Sequence, residues 1–421
     1  MKVLIICWNL YPEHAGGAAK SIYYTAKALS KLPQITATHV LTSTIKNTRL
    51  EKEGKLRIER HNDLDLKFRT GNKSFGLRDF KRKLQHIKIY KKWGDKIREK
   101  YNKFKPDIIH CNDPFVLRRV LETLGQIDIP IVVSVRGYWA CSGYDGSMLD
   151  KKGKMVERWG LKDTLKAQGI KAPYSICGLN KNKRNLRKVK GIHFISKYIK
   201  NKTEEHVRLS SIRKVIMNPR PIQEIKNNAK RDPNQIAYIG ELTYKKGLHK
   251  LLEALKILVD EGKKYKLVIA GVGPLENKFK KFVDKNKLND YVSFMGWVGE
   301  PNKIYEKSTI TVVPSLWPDP LPGVAFEPMF NNSIPLVSKY GGMPEIVPFQ
   351  ELTFDPENSK ELAEKIKDIM EDPKKQKEIR GSFKDWLKQF YPEVAAKQFL
   401  SFYEEVINQN KKDIKSKIKG I

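Results

Sequence analysis

Several short stretches carry residue types suited to a phosphorylated ligand. Pro12-Glu13-His14-Ala15-Gly16-Gly17-Ala18-Ala19 places two glycines before an expected helix. Glycine lets a backbone approach a ligand closely, and a helix N-terminus offers unpaired N–H donors, so Gly16 and Gly17 suit a diphosphate. Tyr238-Ile239-Gly240-Glu241-Leu242-Thr243-Tyr244-Lys245-Lys246-Gly247-Leu248 turns at Gly240 and offers Lys245 and Lys246 as point charges for phosphate oxygens. Ala270-Gly271-Val272-Gly273-Pro274 is a tight glycine turn. The stretch from Pro314 to Met329 sets two carboxylates, Asp319 and Glu327, eight residues apart around Gly323 and Val324. Gly341-Gly342-Met343-Pro344-Glu345 follows. Each stretch alone reads equally as structural punctuation. The last four occur in order at the ends of apolar runs, where open α/β sheets bind ligands.

Two further candidates stand apart. Asp63-Leu64-Asp65 has a spacing that holds a metal–diphosphate in other enzymes, but it lies in a charged stretch that reads as surface. His110 closes a buried run beside Cys111-Asn112-Asp113 and is a candidate catalytic group. The phosphate-loop, zinc-protease and hydrolase-elbow signatures do not occur, so those readings have no support.

Positioning these residues requires strands and helices in alternation. Apolar runs at 3–7, 107–110, 131–135 and 191–195 form one series. Runs at 236–240, 266–270, 292–294, 310–313 and 334–337 form a second. Short apolar strands separated by helical stretches predict parallel sheets covered on both faces, hence an α/β chain. Pro219 and Pro221 interrupt between the series, which places domains at 1–217 and 234–389, a linker at 218–233, and a helix with a basic tail at 390–421.

The composition bounds the class. With 81 Lys+Arg against 47 Asp+Glu, the chain carries +34, and lysine dominates over arginine. That argues against dedicated base reading, where arginine leads. No apolar run approaches the ~18 residues of a membrane span. The run at Val3–Trp8 is too short for a signal peptide, and the four cysteines are widely spaced, so a reducing cytoplasm is expected. Residues 80–104 carry Phe80, Leu84, Ile87, Ile97, Tyr101 and Phe104 at helical spacing, with ten Lys/Arg and two acids between Lys81 and Lys103. This basic amphipathic helix is either an ordinary solvated face or a contact for an anionic membrane surface.

The order of motifs resembles the retaining glycosyltransferases of the GT-B fold, family-4 type, over roughly residues 1–410. The resemblance implies two Rossmann-like domains facing a central cleft, with a C-terminal helix returning to the N-terminal domain. It implies that Gly16 and Gly17 face the donor diphosphate and that Lys246 holds it. It gives the sugar to Asp319, the ribose to Glu327, and backbone contacts to Gly323 and Val324. Departures stand out: Glu241 replaces the family arginine, Asp319 replaces a glutamate, and Arg136 follows the third run where many members have histidine. Lys246, Asp319, His110 and Arg136 are therefore the expected catalytic set. Gly16, Gly17, Gly240, Lys245, Gly271, Gly273, Gly323, Val324 and Glu327 are the expected donor contacts.

The implied reaction moves a sugar from a nucleotide-diphosphate donor to a hydroxyl of a glycan or lipid-linked acceptor, in polysaccharide or glycoconjugate synthesis. No metal or other cofactor and no nucleic-acid partner is expected. The expected location is cytoplasmic, with peripheral docking on the inner face of the plasma membrane. The alternatives are a sugar-nucleotide epimerase or hydrolase of the same architecture, a metal-dependent transferase using Asp63 and Asp65, and a basic nucleic-acid-binding protein.

Overall fold

The computed structural model describes residues 1–14, 16–65, 77–141, 161–168, 172–220 and 231–419, and within its helices the side chains of 77–85, 167, 168, 417 and 419 are not described. Residues 221–230 of the expected linker lie outside the described residues. So do Phe80 and Leu84, as side chains.

Among the described residues, eight strands form the first sheet. They are β1 (Lys2–Ile6), β2 (Ala37–Ser43), β3 (Arg49–Glu53), β4 (Leu56–His61), β5 (Ile108–Cys111), β6 (Ile131–Val135), β7 (Gly191–Phe194) and β8 (Ile212–Val215). Their order is β3-β4-β2-β1-β5-β6-β7-β8, parallel throughout except for the β3–β4 edge hairpin. Six strands form the second sheet: β9 (Asp232–Ile239), β10 (Lys266–Ala270), β11 (Val292–Phe294), β12 (Ser308–Val313), β13 (Ile334–Ser338) and β14 (Thr353–Phe354). Their order is β11-β10-β9-β12-β13-β14, all parallel. This is the two-domain α/β architecture expected of the sequence.

The strands missing from the sequence reading are polar or short. Ala37–Ser43 mixes Thr, His and Ser with Val and Leu, yet it is buried along nearly its whole length. The hydroxyls of Thr42 and Ser43 bond to the Trp8 carbonyl at 3.1 and 2.7 Å, which makes polar residues tolerable there. β3 and β4 alternate with charges because one face of that edge hairpin is solvated.

Helix Pro392–Lys419 covers one face of the first sheet. Phe399, Phe402, Tyr403 and Val406 share a buried cluster with Val3, Ile5, Val40 and Val132. A methyl on Gly191 of β7 would lie 2.7 Å from the Val406 side chain, so glycine allows that approach. The chain's last helix thus returns to the first domain.

Helix Leu77–Phe104 corrects the expected apolar stripe. Trp93, Ile97 and Phe104 are buried against the first domain, whereas Ile87 is 65% exposed. Trp93 takes the anchoring role, and its indole N–H donates to the Leu64 carbonyl at 3.0 Å.

Candidate active site

Both sheets reverse their winding direction at one place. In the first, β1 lies between β2 and β5; in the second, β9 lies between β10 and β12. Loops leaving a sheet on opposite sides at such a point part from each other and open a crevice. The loop after β1 carries Gly16 and Gly17, the loop after β9 carries Gly240 to Gly247, and the loop after β12 carries Asp319 to Glu327.

The second sheet's crevice is built around one ion pair. Lys246 Nζ lies 2.8 and 3.1 Å from the two oxygens of Asp319. The Asp319 side chain is 6% exposed and that of Lys246 23%. Ser315 Oγ donates to Asp319 Oδ2 at 3.0 Å. The Lys245 carbonyl accepts the backbone N–H groups of Leu316 and Trp317 at 2.9 and 3.1 Å, which locks the two loops together. Gly247 makes this turn possible: its φ is +71°, and a Cβ would lie 1.7 Å from the Pro314 carbonyl oxygen.

Lys245 and Lys246 both lie over the Trp317 ring, with Nζ 5.6 and 5.2 Å from its centroid. Lys245 is the outer of the two and faces Glu241 at 3.8 Å. Its anchoring is through its carbonyl. Gly240 follows β9, and a Cβ on it would lie 3.2 Å from the Tyr238 hydroxyl.

Gly271 and Gly273, expected as donor contacts, are packed against the Gly240–Leu242 backbone. A Cβ on Gly271 would stand 1.8 Å from the Gly240 carbonyl oxygen, and one on Gly273 would stand 2.5 Å from that of Leu242. The space beside each is filled by neighbouring backbone, so glycine is needed there for the loop to pack.

Glu327 lies next to the short turn Gly323–Ala325 and meets a residue the sequence reading left out. Arg220 Nε is 3.5 Å from Glu327 Oε1. A methyl on Gly323 would lie 2.7 Å from both Arg220 Nη2 and Glu327 Oε1. Val324 is half-buried beside it. Gly16 caps helix Gly17–Leu29, its carbonyl accepting from Lys20 at 3.1 Å, and nothing lies within 4 Å of its open side.

Arg136 follows β6 and reaches toward the segment between the sheets. Its Nη1 is 2.5 Å from Asn218 Oδ1 and 3.3 Å from Ser21 Oγ, and its Nη2 is 3.2 Å from Asn112 Oδ1. Burial, with Arg220 nearby, brings its guanidinium down to about 10.

His110 is corrected from catalytic residue to structural tie. It is 2% exposed, and both ring nitrogens are engaged, Nδ1 with the Tyr403 hydroxyl at 2.6 Å and Nε2 with Ser134 Oγ at 2.7 Å. Ser134 continues to His193, whose other nitrogen meets the Ile216 carbonyl at 2.8 Å. This chain stitches β5, β6 and β7 to the C-terminal helix, and both histidines and Ser134 are buried. Burial, then the Arg136 charge, lowers His110 to about 3.

The two domains touch at specific points. Tyr138 donates its hydroxyl to the Pro318 carbonyl. Glu345, from the Gly341–Glu345 stretch, accepts the backbone N–H groups of Lys197 and Tyr198 at 2.7 and 2.8 Å, capping helix Lys197–His206 of the first domain. Asp63 pairs with Lys92 at 3.4 Å. Among the described residues no cluster of three His, Cys, Asp or Glu could hold a metal.

Arg220, Ser315, Trp317 and Tyr138 were not legible as site residues. Prolines around Arg220 signal a linker, and no sequence pattern reports that the side chain between them is buried.

Comparison with known proteins follows the geometry. Residues 219–385 match the family described as glycosyl transferases group 1. An uncharacterized glycosyltransferase of Methanocaldococcus jannaschii is 34% identical over 119 residues, 28% of this chain and 30% of that protein. Spore coat protein SA of Bacillus subtilis is 27% identical over 190 residues, 40% of this chain and 48% of that protein. A putative colanic acid biosynthesis glycosyltransferase of Escherichia coli is 29% identical over 137 residues, 31% of this chain and 32% of that protein. The chain thus spans about a third to a half of the length of these relatives. Among solved structures, sucrose-phosphate synthase from Thermosynechococcus elongatus superimposes with a TM-score of 0.70 at 16% identity, covering 97% of this chain and all of that one. HepE of Anabaena, solved in complex with UDP, gives 0.66 at 14% identity, covering 96% of this chain and all of that one. The shared fold is the two-domain GT-B architecture.

Proposed function

We propose that this chain, whose residues 219–385 belong to the glycosyl transferases group 1 and whose two sheets form a GT-B fold, transfers a sugar from a nucleoside-diphosphate donor to a hydroxyl of a glycan or lipid-linked acceptor, with retention of anomeric configuration. The observation that carries the reading is the Lys246–Asp319 pair at the switch point of the second sheet, with Glu327 and Gly323 beside it. Lys246 would stabilise the diphosphate as the bond from the sugar's anomeric carbon to the phosphate oxygen breaks. The acceptor oxygen would bond to that carbon on the same face, passing its proton to a phosphate oxygen. Neither a protein nucleophile nor a metal is needed in this scheme. Glu327 would hold the ribose, and contact between the domains at Tyr138 and Glu345 would limit water in the crevice.

The polysaccharide assignment draws on the relative named for colanic acid biosynthesis. The test is thermal-shift screening against a panel of nucleotide sugars. A donor at 100 times its Kd adds about 2.7 kcal/mol of stability. Incubation with donor and a hydroxyl acceptor, followed by proton NMR of the product's anomeric signal, reads transfer and retention together. Free sugar or an isomeric sugar nucleotide formed without acceptor would favour a hydrolase or epimerase. A panel in which nothing binds would refute the reading.

Peripheral docking on an anionic membrane belongs to the same proposal. No helix among the described residues is long and apolar enough to cross a membrane. Lys88, Lys91 and Lys92 are exposed on helix Leu77–Phe104 beside exposed Ile87, although Lys92 already pairs with Asp63. Flotation with anionic but not neutral liposomes is expected, with loss when these three lysines become glutamate. Equal flotation by both proteins would refute it.

A further inference from the structure

We infer that Arg220, on the segment joining the two sheets, is a diphosphate-binding residue of this site, its guanidinium bridging the Gly16–Gly17 turn of one domain and the Gly323 turn of the other. The inference rests on the nucleoside-diphosphate reading above. It adds a ligand that none of the strand-end motifs supplies.

One nitrogen lies beside both turns. Methyl groups built on Gly17 and Gly323 would lie 3.3 and 2.7 Å from the same Arg220 Nη2. Nη1 is 3.4 Å from the Gly17 carbonyl. The side chain is held in this direction by three features. Its backbone N–H donates to the Phe390 carbonyl at 2.8 Å, its guanidinium carbon lies 5.1 Å over the Phe326 ring, and it is only 7% exposed.

The hydrogen bonds it makes are weak. Contacts to the oxygens of Gly17, Pro219 and Glu327 all lie at 3.4 to 3.5 Å, the outer edge of hydrogen-bond distance. A desolvated guanidinium with five donors is poorly served by such contacts. The surrounding charge is also unbalanced. Arg136 pairs with no carboxylate among the described residues, and its Nε is buried without a partner. Among the described residues Lys246 pairs with Asp319 and Arg220 with Glu327, while Arg136 pairs with no carboxylate, so one of these three cations is left without an ion-pair partner. An anion there would complete the set. The planar fork of arginine takes two phosphate oxygens at once, which the single ammonium of Lys246 does not.

The alternative is that Arg220 only positions Glu327, and the two roles separate by ligand. Isothermal titration of the full chain with UDP, GDP and ADP, each beside its matching nucleoside, is the experiment. Arg220→Met should weaken the bound nucleoside diphosphate by about 10- to 150-fold, the range of one hydrogen bond to a charged group, and leave the nucleoside unchanged. Arg220→Lys should fall between. If Arg220→Met does not fold, judged by its unliganded melting curve, Arg220→Lys and Arg220→Gln carry the comparison. Equal loss for nucleoside and diphosphate would overturn the inference in favour of positioning, and so would unchanged binding of both. A wild-type chain that binds none of the three diphosphates would overturn the reading of the site itself, and the inference with it.

Discussion

Lys246→Met separates the structural role of this side chain from the one proposed for it in sugar transfer. In the folded protein Lys246 neutralises Asp319, whose carboxylate is 6% exposed and whose other partner shown is the Ser315 hydroxyl. Removing one member of a buried pair costs about 3–5 kcal/mol, because the remaining charge is left uncompensated. Lys246 is itself 23% exposed, so the low end, about 3 kcal/mol, is expected. Neutralising the partner should reverse this loss. Lys246→Met/Asp319→Asn should regain most of the stability, since an amide still accepts from Ser315. Transfer should not recover if Lys246 stabilises the leaving diphosphate as proposed. One electrostatic donor of this kind accounts for about 10²–10³ in kcat. Urea unfolding gives the stability of the four proteins of the cycle, and single-turnover transfer from the donor found by screening gives the rate. Lys245→Met is the control, since that residue anchors the neighbouring loop through its carbonyl. Wild-type turnover in Lys246→Met, or recovery of turnover in the double variant, would refute the assignment.

Three further outcomes are expected. Gly247→Ala should destabilise the protein by more than about 2 kcal/mol, because alanine combines a left-handed backbone with a Cβ 1.7 Å from the Pro314 oxygen; a melting temperature equal to wild type would show that the turn relaxes freely. Acid should weaken the fold through His110 and His193. Both titrate lower in the folded state than when unfolded, so their contribution is present above about pH 6.5 and is lost as pH falls, for His110 down to about 3, with a slope of at most about 1.4 kcal/mol per pH unit for each; His110→Gln should flatten the fall between pH 6.5 and 5 relative to wild type, and parallel curves would refute this. Glu345→Gln should weaken the cap on helix Lys197–His206 by about 1 kcal/mol, read as a lower urea midpoint, whereas an unchanged midpoint would make that inter-domain contact incidental.

What the sequence determined by itself follows from short-range chemistry. Apolar runs at β1, β5, β6, β9, β10, β12 and β13 are legible because a strand buried on both faces must be apolar nearly throughout. The placement of Lys246, Asp319 and Glu327 at strand ends follows from those runs and from the glycines that interrupt them. Tertiary structure decided what depends on neighbours far along the chain. Ala37–Ser43 is a strand because Trp8 accepts the hydroxyls of Thr42 and Ser43. His110 is withdrawn from chemistry because Tyr403, 293 residues later, occupies its Nδ1. Gly271 and Gly273 serve packing because the Gly240–Leu242 backbone lies against them. Arg220 lies beside Gly17 and Gly323 because the Phe390 carbonyl and the Phe326 ring hold it there. Composition and spacing encode which residues are apolar, charged or free to turn. Whether a charge is exposed or desolvated is set by what folds over it, and a two-proline linker carries no mark of that.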